Sequence, residues 1–394
     1  MGSTAMVYAN AGKRLLGFAL DARSGSLEAR GEVQLVERGQ FGCAHPALTR
    51  LYMISSDGLP GFHGSRHWLQ AFSIDAEGGL RQVGENVALP KRPVHVAVHP
   101  GGGHLLVAFP FPGSLQVWEL DPQGNIGCQV PQSEAHWGNV THQIVFSLDP
   151  QPSMLLPARG NDAAPGKPED PGSLLVYDFA NGKARLRQRI APDEGYGFGP
   201  RNLSFHPGGR WVHVSLERQH QLCVFAWDGE RLGEQPLFTR EVRSHPGPPQ
   251  RYQYLGPVVC HPDGRTTYLT NRCDGTATGG TAGEEISDGG ENTIAVFRID
   301  GKTGEPALLQ HIDTHGLHAR TIEIDPTGTL LVAANMTSGT VRSGWSTRRY
   351  LSCLSLYRIE DDGRLRFLRT HEIEAEADLL FWAGMVSIPA ASRP

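Results

Sequence analysis

One turn signature recurs along this chain and restricts what it can fold into. An apolar strand leads into a His-Pro or Asp-Pro turn with glycine, and a second apolar strand follows. Gly42-Cys-Ala-His-Pro46, Val96-Ala-Val-His-Pro-Gly-Gly102, Leu203-Ser-Phe-His-Pro-Gly-Gly209, Val258-Val-Cys-His-Pro-Asp-Gly264 and Ile322-Glu-Ile-Asp-Pro-Thr-Gly328 carry it, and Ile144-Val-Phe-Ser-Leu-Asp149 fits the series with Leu148 at the proline position. Successive copies lie 54, 48, 59, 55 and 64 residues apart. Proline presets φ and glycine supplies φ > 0, which is what a tight turn between antiparallel strands requires. An alternating strand follows each turn, as in Trp211-Val-His-Val-Ser215. A third strand then ends in an acidic turn (Leu115-Gln-Val-Trp-Glu-Leu-Asp121), and a fourth completes the unit (Leu365-Arg-Phe-Leu-Arg369).

Four antiparallel strands in about 50 residues form one propeller blade. Six repeats are complete. The N-terminus supplies three strands of another (Met6–Ala9, Leu15–Leu20, Leu27–Leu35), and Phe381–Ile388 supplies its missing first strand. The predicted fold is all-β: a seven-bladed β-propeller over residues 1–394 as one domain, its ring closed by joining the two ends. Two packed β-sandwiches are the rival, but they predict no orphan strand at each terminus. The 48 Gly and 28 Pro are spread as turn punctuation rather than gathered in a tail.

Alternating strand directions place the long insertions Gly58–Arg66, Arg159–Gly172, Cys273–Glu291 and Thr337–Tyr350 on one face, opposite the His-Pro turns. Loops lengthened on a single face suggest a binding mouth there. Six residues before each turn proline, where the innermost strand starts on that face, stand Gln40, Val94, His142, Arg201, Gly256 and Arg320. Bare cations at a crowded channel need a partner or a ligand. Glu217 ends the second strand of the Arg201 blade and can pair with an arginine. His95, Arg272 and Asn335 are expected on the same rim as substrate-binding groups. His99, His206 and His261 belong to the turns of the far face, where a structural role is expected.

Charge narrows the partners. Lys plus Arg number 36 and Asp plus Glu 41, a formal net of −5, with no long basic run, so neither nucleic acid nor an anionic membrane is the expected partner. No apolar run approaches the roughly 20 residues of a membrane span, and the N-terminal segment enters a strand with no secretory core. Six widely spaced cysteines without a CxxC read as free thiols in a reducing, cytoplasmic setting. Gln, Val, His, Arg, Gly and Arg make a poor metal shell, so no metal is expected.

The motifs suggest a family. Gly199-Pro-Arg-Asn-Leu-Ser-Phe-His-Pro-Gly-Gly-Arg210, followed by Glu217, resembles the GPRH(L/V)xFHPxG…NE signature of the lactonase-type seven-bladed propellers. Ala319–Gly328 with Val332-Ala-Ala-Asn335 resembles their PRxFxxDPTG…VAN segment, and Thr270-Asn-Arg272 with Ile294–Asp300 resembles SNR…IAVFRID. His142 falls where the family has a histidine. The family includes bacterial 6-phosphogluconolactonases and fungal-type carboxymuconate lactonizing enzymes. The resemblance implies catalytic groups at His142, Arg201, Glu217 and Arg320, and no metal or organic cofactor. The sequence also departs from the pattern. The usual Glu on the first strand of the sixth blade is missing from Leu255-Gly-Pro257, and Leu216 replaces an Asn. The loop Cys273–Glu291 is longer, and an Asp-rich segment reads Leu156-Pro-Ala-Arg-Gly-Asn161.

The expected activity is metal-independent hydrolysis of an anionic lactone, phosphorylated or carboxylated, such as a sugar lactone. Arg201 and Arg320 would hold the anion through planar forks. His142 would be the base, and Glu217 would orient an arginine or shuttle a proton. The small-molecule partner is the lactone or its open-chain acid. Run backwards, the same groups would serve a lactone-forming cycloisomerase. A non-catalytic interaction platform is the third reading, though a scaffold has no need of converging cations.

Overall fold

A computed structural model of the chain describes residues 3–47, 50–134, 136–245, 253–273, 286–287, 289–343, 346–374 and 379–389. Alternating apolar runs punctuated by Gly and Pro leave no helical period to compete with strand pairing, and the described residues form seven four-stranded antiparallel sheets. Blades 2 to 7 begin at Arg38–Ala44, His95–Val98, Val145–Phe146, Pro200–Phe205, Gln253–Cys260 and Leu317–Ile324. Blade 1 takes Ser3–Ala11, Arg14–Asp21 and Ser26–Gln34 from the N-terminus and Trp382–Pro389 from the C-terminus. Ser3–Ala11 pairs antiparallel with Trp382–Pro389, Tyr8 standing opposite Gly384. The expected closure is therefore present.

Packing closes the ring as well as pairing. One apolar cluster fills each junction between neighbouring sheets, and Val7, Leu16 and Phe18 of blade 1 pack with Leu330, Val332 and Leu354 of blade 7. Burial contributes about 1.5–3 kcal/mol per large aliphatic or aromatic side chain, so an open ring would leave one such cluster uncovered on two sheets.

Three of the His-Pro turns, at His45, His206 and His261, act as latches on the lower face. Nδ1 of His206 accepts from Gly208 N at 3.0 Å, which leaves Nε2–H to donate to Gly264 O of the next blade at 2.8 Å. His45 and His261 make the same reach to Gly102 O at 3.0 Å and Gly328 O at 2.8 Å. Gly264 holds φ +74°, and a Cβ there would sit 2.9 Å from the His206 ring, so the turn needs glycine twice over.

The four long insertions join second to third strands, as expected. Two of them meet: Ile286–Ser287 pairs parallel with Gly339–Ser343, which forms a hairpin with Ser346–Tyr350. Blade 4 differs from expectation, because its innermost strand is only Val145–Phe146. Leu148 stands there in place of the turn proline, and Val140, just before the strand, has φ +57°. His142 bridges this break through its N–H, which donates to Pro157 O at 3.0 Å.

Candidate active site

The innermost strands slip register at the same place in four blades. The breaks fall between Gly39 and Phe41, Pro200 and Asn202, Leu255 and Val258, and Ala319 and Thr321. A bulge leaves its extra residue out of the ladder and re-aims its side chain. The extra residues are Gln40, Arg201, Gly256–Pro257 and Arg320, which is how side chains at equivalent positions turn into the channel mouth.

A cavity of about 410 Å³ opens there. Its polar lining is made by Arg92, His142, Arg159, Asn161, Arg201, Glu217 and Arg320, and the rest by Leu59, Pro60, Gly61, His63, Val94, Pro110, Phe111 and Val140. Glu217 is fixed by its backbone, donating from N to Gly199 O and accepting from Leu255 N, both at 2.9 Å. Its carboxylate gathers three arginines. Oε2 accepts from Arg159 Nη1 at 2.5 Å, and Oε1 meets Arg201 Nε at 2.8 Å and Arg272 Nη2 at 2.5 Å. Arg272 is also bonded to His318. Arg92 is held by a neutral group, donating from Nε and Nη2 to Gln40 Oε1 at 3.1 and 2.8 Å. Arg320 lies with its guanidinium 4.7 Å from the Phe381 ring centre and has no carboxylate partner among the described residues.

The cluster therefore sets five guanidiniums against one carboxylate, an excess of 5 − 1 = 4 charges. Burial pushes the Arg320 pKa down, with Arg272 and Arg92 adding to it against Glu217, to about 9. Arg201 is held well below its ordinary value by burial and then by Arg272. Arginine keeps its proton near neutral pH, so these shifts express positive charge that lacks an anion. Burial would raise Glu217, but Arg159, Arg201 and Arg272 outweigh it and hold the carboxyl at about 2. Burial, then Arg201 and Arg320, holds His142 well below the ordinary imidazole value. Its ring is neutral at pH 7, and its buried Nδ1 has no hydrogen-bond partner among the described residues.

The structure thus brings His142, Arg201, Glu217 and Arg320 to one cavity. It does not bring three other expected residues to the wall. His95 is buried outside it, accepting from Ile144 N at 3.4 Å and packed at a tilt against Phe41 with ring centres 4.2 Å apart. Blade 3 has no register break, and Val94 lines the cavity while its neighbour His95 does not. Asn335 is enclosed within blade 7, donating from Nδ2 to Ser355 Oγ at 2.8 Å and Thr314 O at 3.2 Å. Arg272 supports the site from behind Glu217. Conversely, sequence reasoning assigned no role to Arg92 or Arg159. Arg159 lay in the segment Leu156–Asn161 that departs from the family pattern, and that departure was the available signal. The missing Glu of blade 6 is linked to the same cluster, because a Cβ at Gly256 would collide with Thr270 Oγ1 and press on Arg272 Cδ at 3.2 Å.

A second hollow of about 560 Å³ lies between the blade 6 insertion and the blade 7 hairpin. Its central carboxylate, Glu291, is already engaged by Ser244 N, Asn271 Nδ2 and Thr293 Oγ1. It has no comparable excess of charge.

Fold and site together define a propeller of the lactone-processing type. The profile of the seven-bladed β-propeller lactonases matches residues 2–343, and the chain belongs to that family. It is similar to a 6-phosphogluconolactonase of Formosa agariphila, 24% identical over 340 residues, covering 82% of this chain and 86% of the relative. A Bacillus subtilis 6-phosphogluconolactonase is 25% identical over 297 residues, covering 74% and 75%. Among solved structures, the periplasmic gluconolactonase of Pseudomonas aeruginosa superposes with a TM-score of 0.73 at 20% identity, over 98% of this chain and all of that one. A Lactobacillus plantarum protein superposes with a TM-score of 0.71 at 18% identity. These likenesses establish the fold. Among the described residues no helix is long and apolar enough to cross a membrane.

Proposed function

We propose that the protein hydrolyses a lactone carrying a phosphate or carboxylate substituent, without a metal ion. The observation that carries this reading is a neutral histidine in one cavity with an excess of buried guanidinium charge. Such a cavity favours an anion and repels a cation. Arg320 and Arg92, which have no carboxylate partner among the described residues, are suited to the substrate's anion. Arg201, partly neutralised by Glu217, is suited to the oxyanion that develops at the carbonyl. This shifts Arg201 from the anion-holding role its position first suggested, because its Nε is already committed to Glu217 at 2.8 Å.

In the reaction, neutral His142 takes a proton from water as the water oxygen bonds to the lactone carbonyl carbon. Collapse of the tetrahedral intermediate breaks the acyl carbon–ring oxygen bond. The imidazolium returns its proton to the departing ring oxygen, and the new carboxylic acid then releases one proton to solvent. Glu217, held ionised at about 2, orients the arginines and carries no proton. Cyclisation onto a double bond needs an acid to protonate carbon. A resting imidazole held neutral is a poor acid and a ready base, which favours the hydrolytic direction. The test is acid release in a pH-stat from phosphorylated and carboxylated lactones. Activity on these but not on their uncharged counterparts supports the reading, and no acid release from any lactone contradicts it.

A further inference from the structure

The two walls of the cavity differ in what they can recognise. Beside the guanidiniums stand Leu59, Pro60, Val94, Pro110, Phe111 and Val140, which offer no side-chain hydrogen bond, and His63 is the one polar side chain that the loop of Leu59 and Pro60 adds to this lining. Part of the backbone there is occupied: Leu59 and Phe62 exchange both their N–H···O bonds at 2.8 and 2.9 Å, and Val94 N donates to Ala108 O at 2.9 Å. A polyol lying against these apolar side chains would lose more hydrogen bonds to water than the His63 imidazole could return, which is costly.

The same wall is left uncovered. Phe111 is 40% exposed and Phe62, on the loop that supplies Leu59 and Pro60, is 61% exposed. Phe111 meets His63 edge to face, ring centres 5.6 Å apart. A second hollow of about 460 Å³ continues outward from the first and shares His63, Arg92, Pro110 and Phe111 with it. Phe111 and the prolines Pro90, Pro110 and Pro112 give this hollow an apolar side, beside the polar His63, Ser65, His67, Lys91 and Arg92, and its continuity with the charged cavity fits one amphipathic molecule.

We propose that the substrate is an anionic lactone whose other end is a flat apolar group, an aromatic ring fused to or borne on the lactone, seated against Phe111 and the prolines. This rests on the lactonase reading and specifies its substrate class. An aromatic ring would stack on or against Phe111 in the offset or edge-on geometries such rings prefer, while Arg92 and Arg320 hold the anion.

The experiment compares hydrolysis of a carboxylated dihydrocoumarin with that of 6-phosphoglucono-δ-lactone, in the wild type and in Phe111→Ala and Phe111→Leu. We expect the aromatic lactone to have the higher kcat/KM. Phe111→Ala should lower that value about tenfold, mainly through KM, and Phe111→Leu should recover part of it. Hydrolysis of the sugar lactone should change less than about twofold, and melting should be unchanged because Phe111 is half-exposed. A wild-type preference for the sugar lactone, or equal losses on both substrates in Phe111→Ala, would overturn the aromatic subsite and leave the lactonase reading intact. Absence of hydrolysis of both would remove the two together.

Discussion

The two ends of the same innermost strands carry opposite chemistry. At the lower end, histidine is repeated from blade to blade, and each latch ring is satisfied on both nitrogens, as in His206 between Gly208 N and Gly264 O. At the upper end the pattern breaks. His142 has an unpartnered Nδ1, Arg320 has no carboxylate among the described residues, and bulges replace the regular ladder. An unsatisfied buried polar group costs roughly 1–3 kcal/mol, and at His142 a ligand in the cavity would offset that cost. The lower face holds the ring, and the upper face is left in need of an anion.

If the lower face and its closure hold the ring, deleting residues from Leu380 onward should have the largest effect. The loss strips Trp382–Pro389 from Ser3–Ala11 and uncovers the clusters on both sides of blade 1. Soluble protein with a cooperative transition should disappear. A truncated chain that melts as the full one does would break the comparison at its base.

The upper face is next. Arg320→Ala should lower kcat/KM on the anionic lactone about 10²-fold, mainly by raising KM, as loss of a charge-assisted contact implies. Arg201→Ala should instead act chiefly on kcat, since its role is at the oxyanion. Both should leave the melting temperature near wild type or raise it, because each removes a buried positive charge from a cluster already in excess. An unchanged KM for Arg320→Ala would remove it from the anion site.

Acid should separate the faces more gently. His142 is held below its ordinary value, so the base stays neutral as pH falls through 6.5, and kcat/KM should stay flat there. Stability behaves otherwise. His206 is lowered by burial, and burial with Arg201 takes His95 to about 3. Their unfolded forms bind protons first, so the stability they contribute is full above about 6.5 and is lost progressively below it. Melting temperature should fall from pH 7 to 5 while kcat/KM holds. A kcat/KM limb at 6.5 would mean that His142 is not held neutral. Smallest of all, exhaustive chelation should change turnover by nothing measurable, because the cluster repels cations. Loss with EDTA and recovery with one divalent ion would contradict that.

Much of this was legible in the chain. Turn chemistry is local, so His, Pro and Gly at fixed offsets announced the blades, and an orphan strand at each end announced the closure. Counting back from the turn proline reached Arg201 and Arg320 because their bulges recur at one position. The count also reached Val94, which lines the cavity, whereas His95, placed on the rim apart from the count, does not. Arg92 and Arg159 sit on loops outside the repeat, and their convergence depends on Gln40 and Glu217 from other blades. Such pairing is tertiary and leaves no period to read.

The most direct test of the contrast is a crossed one: kcat on a carboxylated lactone and melting temperature, both measured for His142→Ala and His206→Ala. The upper-face change should lower kcat about 10²–10⁴-fold, the usual range for a lost general base, with little change in melting. The lower-face change should leave kcat within about twofold and lower the melting temperature by roughly several degrees, as the loss of two buried hydrogen bonds implies. A His142→Ala protein with full turnover, or a His206→Ala protein that loses turnover without losing stability, would contradict the division of the molecule into a holding face and a reacting face.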